Sequence, residues 1–379
     1  MFRVRLTLTW APIVFALFAC KQGGNASPAP SASQWVPAPS VAPVVSVAPA
    51  PAPAPGPAPA PAPSVACKGV TKQKLTALTA QAGEFGGLAV RSGNVYLLAF
   101  DQPAARATLK RVGRDGEGAK VIGHSKSPGR ISGLVVDDGA AYFVHGKALV
   151  KLPLAGGEAT TLRQDVIRPI ALAENALWYV ECNSGEKKDQ LMSLPTGGGE
   201  PTVRATWPRT TPGKGCQYGD VVVTAEDAFV DDWTSRRVLG IARKDGAVRE
   251  LASKMPFPIR IAVEASDVVF QASGGLFRVP KAGGEAKKIS DLGSTPFHFF
   301  AWDDAQFFVF NGEAYGMRHI LSQLPKSGGR GKEIEWFQVK DVVMGSGVTD
   351  IAVDDSCIYL AKSGNAYVEV LAKPKPPAP

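Results

Sequence analysis

The stretch IAVEASDVVFQASGGLFRVPKAGGEAKKI, residues 261–289, decides the fold. Its apolar residues Ile261, Val263, Val268, Phe270, Leu276, Val279 and Ile289 are interrupted by Ser266-Asp267, Ser273-Gly274-Gly275 and Ala282-Gly283-Gly284. Period-two alternation marks strands and each interruption carries turn residues, so the stretch predicts four short antiparallel strands joined as a meander. We letter them a to d from the inside outward.

Variants of the a-to-b corner recur along the chain. They read LAVRSGNVYLL from Leu88, LVVDDGAAYFV from Leu134, IALAENALWYV from Ile170, VVVTAEDAFVD from Val221, IAVEASDVVFQ from Ile261, FFAWDDAQFFV from Phe299 and IAVDDSCIYLA from Ile351. The c-to-d corner recurs too, as LVKLPLAGGEATTL from Leu149, LMSLPTGGGEPTVR from Leu191 and LSQLPKSGGRGKEI from Leu321. A four-stranded unit cannot bury both faces alone, and spacings of about 36 to 52 residues suit β-propeller blades with unequal loops. The chain is therefore all-β, a propeller of seven four-stranded blades, with six the alternative if the loop-rich region 182–216 distorts one copy. The last copy lacks an outer strand, and residues 68–79 resemble the missing d strand. Such a one-plus-three closure would cover two exposed sheet edges.

Composition divides the chain into unlike parts. Its 379 residues carry a formal charge of +8 and are 45% hydrophobic, enough for a sizeable core. Many of the 31 prolines crowd between Pro28 and Pro63, or follow Lys373. Arg3 and Arg5 precede an apolar run, residues 6–19, that is too short to span a bilayer comfortably and reads as a secretion signal, 1–19. The run ends Leu17-Phe18-Ala19-Cys20, which resembles the bacterial lipobox; the resemblance implies a lipidated Cys20 as mature N-terminus, although Phe18 is bulky for that motif. Lys21, not aspartate, follows, so the resemblance points to the outer membrane, on its periplasmic side or at the cell surface. Residues 20–65, with PAPAPAPGPAPAPAP at their centre, form a Pro/Ala-rich tether. Proline fixes φ and removes donors, so at about 3.1 Å per residue this extended segment can hold a domain about 100 Å from a membrane. The propeller is expected over 66–372 and a Pro-rich tail over 373–379.

The aromatic b strands (Tyr96, Tyr142, Phe143, Trp178, Tyr179, Phe270, Phe308, Tyr359), followed in four copies by an LxxVPxxGG-like hairpin, resemble the YWTD-like and TolB-like propeller repeats of bacterial secreted proteins. The YWTD tetrad itself is absent, so the resemblance implies architecture and carries no active site.

Candidate chemistry is sparse. Besides Cys20 there are four cysteines, an even number in an exported chain, and two disulfides follow: Cys67–Cys357 across the closure and Cys182–Cys216 on the opposite face. No CxxC spacing exists, and His124, His145, His298 and His319 fall in different copies without HxH or HExxH spacing, so neither a metal nor a cofactor is expected. The pairs Asp137-Asp138, Asp303-Asp304 and Asp354-Asp355 recur at the a-to-b corner, which assigns them to turns rather than catalysis. One segment departs from the repeat: Asp231, Asp232, Trp233, Arg236 and Arg237 stand where other copies have a short b-to-c turn. With Arg130, Arg168 and Arg260 between blades, and Lys187, Lys188, Tyr315 and Arg318 in other b-to-c loops, they form a candidate ligand-binding set for an anionic partner. The functional expectation is a monomeric envelope lipoprotein, anchored in the membrane by its N-terminal lipid, whose propeller binds or scaffolds a protein or envelope polymer. The alternative is a lactonase-like hydrolase with its site in the central channel. The positive charge forms no basic aromatic stripe, so nucleic acid is not an expected partner.

Overall fold

The computed structural model describes residues 67, 73–75, 84–101, 104–183, 188–209, 217–293, 298–312, 318–338, 348–362 and 367–376. The signal, Cys20, the tether, Lys187, Cys216 and Tyr315 lie outside these residues. The described part forms seven four-stranded antiparallel sheets, each an a-b-c-d meander, arranged as a seven-bladed β-propeller. Blades 1 to 6 span 84–126, 131–163, 167–208, 218–252, 259–293 and 298–338. Blade 7 takes strands a to c from 348–372 and its d strand, Gln73–Leu75, from the N-terminal side. That strand pairs antiparallel with Tyr367–Ala372, Gln73 opposite Val370 and Leu75 opposite Val368. The expected one-plus-three closure is thus present. Cys67 and Cys357 form a disulfide beside it, with Cα atoms 5.9 Å apart. Cys182 is disulfide-bonded as well; its expected partner, Cys216, is outside the described residues.

The b strands explain the continuous apolar runs in the repeat. Ala140–His145 is buried at every position and Asn94–Asp101 at all but its ends, because a blade packs against a neighbour on both faces. Leu98, Phe100 and Leu109 of blade 1 thus share a cluster with Ala141, Phe143 and Val150 of blade 2. Space at these seams is tight: a Cβ on Gly87 would lie 2.6 Å from Leu134 Cβ of the next blade.

The corner aspartates are turn formers. Asp137 accepts the N–H groups of Gly139 and Ala140 at 2.8 and 2.6 Å and the Tyr142 hydroxyl at 2.8 Å. Asp354 repeats the set with Ser356, Cys357 and Tyr359. These local bonds fix the a-to-b corner. The start of the tail packs on blade 6: Lys373 Nζ lies 2.9 Å from Asp303, and Gln306 Nε2 donates to the Pro374 carbonyl at 3.3 Å.

In six of the seven a strands the ladder with strand b shifts register just before the first aligned apolar residue: before Gly87, Leu134, Ile170, Val221, Ile261 and Asp350. A bulge re-aims side chains at such a point. Here it sets what lines the channel.

Candidate functional site

Two polar groupings meet at the corner between blades 4 and 5, on the face that carries the b-to-c loops and d-to-a connectors. The first belongs to the channel. Asp220, Arg260 and Asp350 occupy equivalent positions of blades 4, 5 and 7, each directly before the aligned apolar residue. Asp220 accepts its neighbour Val221 N–H through Oδ1 and, through Oδ2, Ile261 N–H of blade 5, both at 3.0 Å. Asp350 holds Ile351 N–H and, in blade 1, Leu88 N–H in the same way, again at 3.0 Å. Each carboxylate therefore ties its own a strand to the next. Arg260, at φ +55°, reaches Asp350 at 2.8 Å. Blades 5 and 7 do not adjoin, so this ion pair crosses the channel.

Charge balance follows. Burial pushes the Asp220 pKa up, opposed by Arg260 and by the two N–H donors. Burial alone would lower the Arg260 pKa, but Asp350, Asp220 and Asp231 outweigh it and hold the guanidinium charged. Asp231 lies behind this set. Its Oδ1 accepts Gly219 N–H, and burial together with the neighbouring Asp220 pushes its pKa well above the usual carboxylate range.

The second grouping is the b-to-c loop of blade 4. Strand alternation sends Asp231 and Asp232 to opposite sides. Asp232 caps the loop, accepting Ser235 N–H at 2.9 Å and Arg237 Nε at 3.0 Å, while Arg237 also donates to the Pro208 carbonyl at 3.0 Å. Asp232 and Arg237 are buried, and these bonds run to the turn itself, to each other and to Pro208. Arg236, at φ +59°, is exposed. Trp233 packs edge-on against Phe257 of the connector 253–258, ring centroids 5.8 Å apart. Trp233 Nε1, Ser235 Oγ and Asp231 Oδ2 are buried without a hydrogen-bond partner among the described residues. Buried polar atoms of this kind are rare and call for a cause.

Beside this loop, at the seam of blades 3 and 4, Tyr218 donates to Asp189 at 2.6 Å, Trp207 Nε1 donates to Tyr218 at 3.3 Å, and Arg209 is paired with Asp189. Burial, with Asp232 and Asp189 close by, raises the Tyr218 hydroxyl pKa far above its usual range. Asp189 is the ladder partner of Cys182, so this network braces the Cys182 side of the long loop.

Of the remaining sequence candidates, Arg130 is exposed between blades 1 and 2, Lys188 is exposed at the start of a c strand, and Arg168 and Arg318 begin strands at positions whose side chains are outside the description. The structure thus gathers Asp231, Asp232, Trp233, Arg236, Arg237 and Arg260 at one corner and adds Asp220, Asp350 and Phe257. A signal for the first two existed: read down the repeats, the position before the aligned apolar residue runs Gly87, Gly133, Pro169, Asp220, Arg260, His298, Asp350, turning from small or apolar to polar at blade 4.

The opposite face differs. Arg243 there donates to the Thr224 and Ala225 carbonyls at 2.6 and 2.9 Å and pairs with Glu174, and Arg91 pairs with Asp138 at 2.9 Å. Its charges tie one turn to the next.

No family model matches the sequence, and no curated protein does either. Solved structures are similar in fold. Virginiamycin B lyase from Staphylococcus aureus superposes with a TM-score of 0.57 at 14% identity, covering 80% of this chain and 98% of that one. The extracellular domain of a two-component-system protein from B. thetaiotaomicron gives 0.57 at 13%, covering 77% of this chain and 38% of that one. The Swd1 β-propeller domain of Myceliophteria thermophila gives 0.55 at 11%, covering 78% and 99%. At such identities the likeness is one of architecture, and what it establishes together with the strand order is that this chain is a seven-bladed β-propeller closed by an N-terminal strand.

Proposed function

We propose that this protein is a lipid-anchored envelope propeller that acts as a binding module, engaging an anionic partner through the face bearing the b-to-c loops and d-to-a connectors. One observation carries the reading: three buried polar atoms without hydrogen-bond partners among the described residues, Asp231 Oδ2, Trp233 Nε1 and Ser235 Oγ, lie beside the exposed Arg236 at the blade 4–5 corner of that face. Variable loops on a rigid frame are where propellers and other scaffolds place recognition. The LFAC ending and the proline tether support display at a membrane, with Cys20 as the lipidated residue.

The binding reading is preferred over a channel hydrolase because the channel carboxylates are already engaged. Asp220 and Asp350 hold backbone N–H groups, and Arg260 neutralises Asp350. Among the described residues no group of three His, Cys, Asp or Glu side chains converges to hold a metal.

The test is site-specific photo-crosslinking in the intact host envelope. A crosslinking residue at Arg236 should capture a partner, whereas one at the exposed Glu285 in a c-to-d turn should not. Equal capture from both positions, or capture from Glu285 alone, would overturn the choice of face.

A further inference from the structure

The connector 253–258 presents the one exposed aromatic among the described residues' large apolar side chains. Phe257 is 55% exposed; the others that stand out are Val121 and Val203, on outer strands. Its backbone is unusual too. Phe257 has φ +51° and Lys254 +57°, and with Arg236 and Arg260 they make four of the nine non-glycine residues found at positive φ among the described residues, all within one corner. That conformation costs a residue with a Cβ roughly 1–2 kcal/mol, and among the described residues glycine takes positive φ at sixteen other positions. At this corner the chain keeps large side chains despite the cost, a pattern that marks functional surfaces.

The connector is also held in place. Met255 N–H donates to the Arg236 carbonyl at 2.9 Å, Ser273 N–H to the Pro256 carbonyl at 2.8 Å, and Pro256 and Pro258 flank the phenylalanine. Trp233 supports the ring from one side. A side chain fixed in this way loses little conformational freedom on docking. The charges around it have one sign at the surface: Arg236 and Lys254 are exposed, whereas the acids Asp231 and Asp232 are buried.

Building on the proposed binding face, we propose that Phe257 is an apolar anchor that packs against apolar side chains of an acidic protein segment, with Arg236 and Lys254 as its cationic rim. Aromatic anchors with a charged rim are the usual energetic centre of a protein interface. A polyanionic glycan would satisfy the two cations but offers Phe257 no apolar side chain, so dependence on Phe257 separates the two partner classes.

A random dodecapeptide display selection against the mature chain supplies probes, whose labelled peptides are then titrated by fluorescence anisotropy; polygalacturonate serves as the glycan arm. Enriched peptides should pair Asp or Glu with a Leu, Ile, Phe or Trp. Phe257→Ser should weaken them about tenfold or more at an unchanged melting temperature. Arg236→Glu with Lys254→Glu should weaken them and flatten the salt dependence. Enrichment of basic peptides, no enrichment, binding to polygalacturonate alone, or unchanged affinity in Phe257→Ser would each overturn the proposal. Peptides that crosslink through Glu285 would overturn the choice of face itself, whereas peptides that crosslink through Arg236 yet ignore Phe257→Ser would overturn only the anchor.

Discussion

Replacing Arg260 with methionine should destabilise the propeller by removing the charge that bridges its channel. The pair with Asp350 is short at 2.8 Å, and the side chains are 35% and 16% exposed, so it belongs between two regimes. Exposed pairs contribute about 0–1 kcal/mol, whereas stripping one partner from a fully buried pair costs about 3–5 kcal/mol. A loss of about 2 kcal/mol follows, which for a domain of this size lowers Tm by about 3 °C. Methionine keeps the left-handed backbone cost of residue 260, whereas glycine removes both the charge and that cost, so Arg260→Gly should melt above Arg260→Met by the equivalent of about 1 kcal/mol. The assay is calorimetry of the four proteins of a double-mutant cycle with Asp350→Asn at pH 7. The double variant should lose less than the two singles added together, the coupling being about 1 kcal/mol or more. Strict additivity, or an Arg260→Met melt that matches the parent, would show that the guanidinium is only a channel lining and that the two aspartates hold their strands unaided.

Three further outcomes follow from the same geometry. Loss of Cys67–Cys357, which closes a separation of 290 residues, should cost about 6 kcal/mol in the chain-entropy treatment, read as a lower melting temperature in Cys67→Ser; an unchanged melt would mean the strand pairing alone closes the ring. Asp231→Asn should gain stability relative to the parent as pH rises: the folded state keeps a proton that the unfolded chain releases above its ordinary pKa, so the parent loses stability as pH climbs from about 4 through the raised folded value, while asparagine does not. A melting temperature of Asp231→Asn that stayed level with or fell relative to the parent's from pH 4 to pH 8 would contradict it. Cys20→Ser should abolish a diacylglyceryl mass on the mature N-terminus and release the protein from the membrane fraction, and its retention there would contradict the anchor.

The frame was legible in the sequence because each blade repeats the same physical problem. A strand buried on both faces must be apolar throughout, and a tight corner must carry a residue able to bond its own backbone, so b strands such as AAYFVH and corners such as Asp137-Asp138 announce themselves. The closure was legible for the same reason, since a final copy with three strands needs a fourth. The site was legible only in part. Asp231 and Asp232 end strand b and Arg237 begins strand c of blade 4, and composition alone cannot tell a charge that faces a partner from one that fastens the turn between them. Alternation along strand b sends Asp231 toward Gly219 and Asp232 toward Arg237, a division that appears only once the bulged pairing of Tyr218 with Asp232 is known. Phe257 gave no signal at all, because a phenylalanine between two prolines in a connector reads equally well as core.

The surface knob and the channel bridge are two ends of one short segment. Phe257 and Arg260 are three residues apart, on either side of the start of strand a at Ile259, and both take the left-handed backbone. The outer part is tied to Arg236 and Ser273 by backbone bonds, and the inner end is tied through Ile261 N–H to Asp220. Such anchoring at both ends is what allows non-glycine residues to hold a backbone that costs about 1–2 kcal/mol each. It follows that the channel set has a role beyond ring stability: by fixing where strand a of blade 5 begins, Asp220 and Arg260 fix the platform from which Phe257 projects. The corner between blades 4 and 5 is therefore a single mechanical unit, in which channel charge sets the geometry that the exposed connector displays.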